Sequence, residues 1–140
     1  MKNTFTLYAA SLIGILIFST SSFSEEMKIT VNVKKFSKSE LEATLIEHSY
    51  PLGGTSFDNA KGAFYFQNKR DLLVSYKGKK GTGKWTANDN SEFCYTVTLW
   101  EGKECITLLS NLSSGGFIHV FDGKNRILKE TAIQKGNLIK

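Results

Sequence analysis

Near the N-terminus an apolar core runs from about Leu7 to Phe18, behind Lys2 and ahead of a polar stretch ending Ser22-Phe23-Ser24. A run of ~12 residues is short of the ~20 needed to span a bilayer, and small residues at Ser22 and Ser24 suit a cut after Ser24. This pattern predicts a secretory signal peptide over residues 1–24 and a mature domain over residues 25–140. No cysteine lies beside the cut to carry a lipid anchor, and no transmembrane segment is expected in the mature chain.

Past the cut the spacing changes. In MKITVNVKK (27–35), Ile29, Val31 and Val33 alternate with polar partners, which suits a short strand or an extended arm. The period then lengthens. Ser37-Lys-Ser-Glu40 is a capping box, and Leu41, Thr44, Leu45 and His48 share one helical face until Ser49-Tyr50-Pro51 stops it. One N-terminal amphipathic helix is predicted over about Lys38 to His48.

From Gly53 onward every apolar cluster is short, alternating and bounded by turn residues. The clusters are AFYFQ (63–67), LLVSY (72–76), GKWTA (83–87), FCYTVTLW (93–100), CITLL (105–109), FIHVF (117–121) and RILKETAIQ (126–134). About seven strands at this spacing, joined by hairpin-length loops, predict a mainly β fold. The expected architecture is an antiparallel up-and-down sheet, either a small barrel or a sheet curled around the helix, in a single domain.

Export changes how the cysteines read. Cys94 and Cys105 are the only two, and an even count in an oxidising compartment favours a disulfide over a metal site or a catalytic thiol. Their spacing carries a conflict. With Glu101-Gly102 as a two-residue loop, Thr98 faces Cys105, and Phe93, Tyr95, Val97, Leu99, Ile106 and Leu108 share one side. Cys94 would then lie about 13 Å along the strand from its partner at ~3.3 Å per residue, when a disulfide needs Cα atoms within about 7 Å. Either Thr98 to Lys103 bulges into a wider loop that brings the sulfurs together, which is the arrangement expected, or the thiols stay free.

Charge narrows the partners. The chain carries 18 basic and 13 acidic residues, net +5, and loss of Lys2 with the leader brings this to +4. That permits weak contact with anionic surfaces, but no long lysine or arginine run marks a nucleic-acid binder. The stretch GKKGTGKW (78–85) imitates a phosphate-binding loop, yet Trp85 stands where a magnesium-holding hydroxyl belongs and no helix follows. It reads as a basic turn entering a strand. The histidines, His48 and His119, and aspartates such as Asp58, Asp71, Asp89 and Asp122 form no catalytic or metal-binding motif. No enzyme activity and no cofactor are expected.

Aromatics on alternating positions are mostly core. Trp100 is the exception in this pattern, beside a turn and on the face away from the apolar row, and is the leading candidate for contact with a ligand or partner. Trp85, pointing inward from its strand, is the second.

From Ser39 to Asn137 the chain resembles a family of exported proteobacterial proteins known as domain of unknown function 995. The resemblance rests on a short helix, Gly54-Thr55, the aromatic strand FYF (64–66), Gly-x-Trp (83–85), the Cys94 and Cys105 pair, and Gly136-Asn137. It implies a small exported protein and carries no catalytic residues. The function expected is a periplasmic or secreted, non-catalytic binding module for a small amphipathic ligand or envelope component. The alternatives are a protein-protein factor such as an inhibitor, and an envelope hydrolase.

Overall fold

The computed structural model describes residues 32–139. The leader segment and the predicted alternation of Ile29 and Val31 lie outside these residues. The helix α1 spans Lys38–Leu45 and ten strands form one sheet: β1 Val33–Lys35, β2 His48–Leu52, β3 Gly62–Phe66, β4 Asp71–Tyr76, β5 Lys79–Ala87, β6 Glu92–Val97, β7 Trp100–Asn111, β8 Phe117–Phe121, β9 Lys124–Leu128 and β10 Gln134–Lys135. From β2 to β9 each strand pairs antiparallel with the next in sequence; β10 flanks β2, and β1 pairs with β7 beyond the first residue of β6. The sheet curls into a half-barrel with β9 and β10 as its edges.

The helix begins where the sequence says it should. Ser37 Oγ accepts from the Glu40 amide at 3.2 Å, and the Glu40 carboxylate accepts from the Ser37 amide at 3.1 Å. This reciprocal cap is worth about 1 kcal/mol. Leu41 and Leu45, one turn apart, are both fully buried and plug the helix into the half-barrel. The helix ends at Leu45 rather than at His48, because Glu47 adopts a left-handed φ of 63° and donates its amide to the Phe66 carbonyl at 2.7 Å. His48 therefore starts a strand.

That strand, β2, is absent from the expected seven because Pro51 lies inside it and proline usually excludes a paired strand. Here β10 reaches only Ser49 and His48, so Pro51 sits beyond that ladder and no donor is missed on that side. The expected final strand over 126–134 is divided into β9, a single 3-10 turn at Glu130–Ala132, and the two-residue β10. The lysine-glycine stretch read as a turn is mostly strand: only Lys77-Gly78 turns, with positive φ at both residues, and β5 runs from Lys79. The phosphate-loop imitation is thus a strand, as the missing helix requires.

Curvature has a local source in β5. Its concave-face residues are Gly81, Gly83, Trp85 and Ala87, and its convex-face residues Lys80, Thr82, Lys84 and Thr86 are exposed. A Cβ on Gly83 would lie 2.3 Å from the Thr96 carbonyl oxygen and 2.8 Å from Val97, so the strands close up only because that side chain is absent. Around the bend Tyr50, Phe64, Phe66, Trp85, Phe93 and Tyr95 fill the concave face, with Phe66 and Trp85 meeting edge to face at 4.7 Å.

The disulfide is formed, and the extra residues lie within the Thr98 to Lys103 segment expected to bulge, as a tight turn followed by a bulge rather than as one wide loop. The turn is Thr98-Leu99, with Val97 paired to Trp100, and Glu101 to Lys103 form a bulge in β7 around Gly102, whose φ is 94°. Cys94 then faces Cys105 directly, Cα atoms 4.0 Å apart. The extra residues restore the register that a loop at Glu101-Gly102 would have lost.

Candidate functional site

Strand direction determines where an opening lies. Helix α1 packs on β2, β5 and β6, its first residue Lys38 donating its amide to Asp89 in the β5–β6 connection at 2.8 Å, and closes one end of the half-barrel with Leu41 and Leu45. The other end is lined by the end of β2 (Leu52), the end of β4 (Tyr76), the start of β7 (Trp100) and the end of β8 (Phe121). There a pocket of about 540 Å³ opens to solvent, with Tyr95, Ile106, His119 and Arg126 deeper in and Glu101, Glu104 and Gly53 completing its lining. Its volume lies within the ~300–1,000 Å³ range of small-molecule sites.

Trp100 forms part of its wall. Because Trp100 pairs with Val97, it shares the concave face with Val97, Tyr95 and Ile106, which corrects its expected placement on the opposite face. Moving the turn by three residues moved the side chain to the other side of the sheet. The indole is half-buried, meets Tyr76 edge to face at 5.7 Å, and donates its N–H to Glu104 at 3.2 Å. The Tyr95 hydroxyl donates to the same Glu104 oxygen at 2.8 Å. A carboxylate on the concave face therefore orients both an indole and a phenol. Burial pushes the Tyr95 phenol well above its usual range, and Glu104 adds to this through the hydrogen bond and its negative charge.

Trp85 lies elsewhere. It is 1% exposed in the core, with its N–H donated to the Asn68 carbonyl at 2.8 Å, so its side chain is committed to packing rather than available to a partner at the surface.

The deeper polar groups form a chain. The buried Tyr50 hydroxyl lies 2.5 Å from His119 Nδ1, and Arg126 Nη2 lies 3.3 Å from the same nitrogen. A guanidinium only donates, so Nδ1 accepts and the neutral ring carries its proton on Nε2. Burial is the main cause of a His119 pKa lowered to about 4, with the Arg126 charge adding to it. His119 is neutral at pH 7. Burial likewise raises the Tyr50 phenol, against a smaller opposing effect of Arg126. Neither ring is charged near neutrality, and Arg126 makes no ion pair among the described residues. Its Nε is buried without a hydrogen-bond partner.

Arg126, Glu104, Tyr50 and Tyr76 were not singled out in the sequence. A signal for Arg126 was present: Asp122-Gly123 is a two-residue turn, and counting outward from it pairs Phe121 with Lys124 and His119 with Arg126. Glu104 could not be found that way, since the β6–β7 turn has no turn residues and the bulge shifts the count. The predicted Cys94 and Cys105 bond lies on the convex side among Arg70, Lys84 and Lys103, away from the pocket.

The fold and the pocket define a class: an antiparallel half-barrel plugged by a helix at one end and opening through an aromatic-walled pocket at the other. Comparison with family models, with curated proteins and with solved structures finds no match in any of the three. No helix among the described residues is long and apolar enough to cross a membrane.

Proposed function

We propose that the protein is an exported, non-catalytic binding module that holds a small amphipathic ligand in the pocket at the open end of its half-barrel. The pocket carries this reading. Aromatic and aliphatic side chains supply most of its wall, and a few polar groups, Glu104, His119 and Arg126, converge within it. Apolar walls with few, placed polar groups suit a ligand that is mostly hydrocarbon with one polar end. The leader pattern of residues 1–24 and the Cys94–Cys105 bond support action in the periplasm or outside the cell. Arg70, Lys84 and Lys103 on the convex face support weak contact with anionic envelope surfaces.

Kinship with the domain of unknown function 995 family is proposed on the same residues as before. The Gly-x-Trp element falls in β5 and the two cysteines form a rung between β6 and β7. A member of that family found to lack this rung and the helical plug would overturn the kinship.

The test of the binding role is a pair of mass spectra on protein purified from its own secretory compartment. Mass present under native conditions and lost on denaturation supports a cargo, and Trp100→Ala should release it. A bare native mass overturns the cargo reading in favour of a protein partner, to be sought by affinity capture.

A further inference from the structure

The charges inside the pocket are unequal in how well they are satisfied. Glu104 already accepts hydrogen bonds from Tyr95 and Trp100 at 2.8 and 3.2 Å, and Glu101 stands exposed at the rim. Arg126 is the only cation among the described lining residues and it is half-buried. Of its several N–H donors, only Nη2 reaches a described acceptor, at 3.3 Å, and that acceptor is a neutral ring nitrogen. A partly desolvated guanidinium without a counter-charge is unfavourable, and an anion brought to it recovers a charge-assisted, bidentate hydrogen bond.

Resting on the pocket reading above, we propose that the ligand carries a carboxylate head bound by Arg126, with its apolar body lying against Tyr76, Trp100 and Phe121. The placement of the donors supports this polarity. Arg126 sits beside His119 on neighbouring strands, paired across β8 and β9, while Tyr76, Trp100 and Phe121 stand nearer the strand ends. A head seated inward and a body directed outward along the aromatic wall matches that order. His119, neutral beside the guanidinium, introduces no competing charge. The opposite choice, a cationic head in an aromatic cage, would place like charge near an unpaired guanidinium. It would also have to displace the donors that occupy Glu104.

The mature, oxidised protein is titrated with three probes of one chain length, each below its micellar concentration: dodecanoate, dodecanol and dodecyltrimethylammonium. Trp100 emission reports occupancy, with Trp100→Phe as the blank. The expected result is dodecanoate binding at least tenfold tighter than dodecanol, a preference abolished by Arg126→Gln and partly restored by Arg126→Lys. Equal binding of dodecanoate and dodecanol, or tighter binding of the ammonium probe, overturns the carboxylate assignment and leaves the pocket reading standing. Binding of none of the three overturns both. The comparison of head groups on the unaltered protein decides the matter even if Arg126→Gln does not fold.

Discussion

Removing the Cys94–Cys105 rung tests whether the β6–β7 register comes from the bulge or from the covalent bond. The cysteines are 11 residues apart and their side chains lie on the half-buried convex face, so Cys94→Ala with Cys105→Ala leaves the core packing untouched. The chain-entropy relation for a loop of this length predicts a loss of about 3 kcal/mol. For a domain near 100 residues this is a fall in midpoint temperature of roughly 10–20 °C. Urea unfolding followed by Trp85 emission and by far-ultraviolet circular dichroism measures it, with reduced wild-type protein as a second route to the same state. The slope of free energy against urea should rise, since the unlinked denatured chain exposes more surface. A loss within about 0.5 kcal/mol would refute the entropic argument. A variant that folds but loses the Val97–Trp100 pairing, seen as a shift of Trp100 emission to that of a fully exposed indole, would show that the bond and not the bulge sets the register.

The remaining predictions address the plug, the tryptophans and pH. Leu45→Ala, at a fully buried helix position, should cost about 2–5 kcal/mol by equilibrium unfolding, whereas Ala43→Ser on the exposed face of the same helix should change stability by less than ~0.5 kcal/mol. In single-tryptophan variants, Trp85 should emit at shorter wavelength and resist iodide, and Trp100 should be quenched readily; the reverse order would contradict their burial. His119 binds its proton less readily folded, at about 4, than unfolded at 6.5, so the unfolded state takes up more protons as pH falls through that interval. Stability is therefore full above pH 6.5 and declines toward pH 4, by up to about 3 kcal/mol, after which the penalty is constant. His119→Gln should flatten the decline between pH 6.5 and 4.5, above the range where the lowered Glu40 and Asp71 carboxylates begin to protonate. An unchanged slope would mean that the ring is not the group responsible.

Local chemistry determined much of this protein without reference to the rest of the chain. The capping box at Ser37 and Glu40, the alternation in FYF and FCYTV, and the Asp122-Gly123 turn each act over a few residues, so the helix start, most strands and the antiparallel order were legible. What those signals do not hold is register between strands whose connection lacks turn chemistry. Thr98-Leu99 turns where the pairing of the strands on either side places it, not because its residues prefer to turn, and the bulge at Gly102 imitates a turn. Since side chains alternate along a strand, that local misreading placed Trp100 on the wrong face and hid Glu104 altogether. The pocket likewise depends on curvature, which the close approach across Gly83 makes possible, and on which strand ends the helix covers. Both are sums over many distant contacts, and only the folded sheet brings Trp100, His119 and Arg126 to one opening.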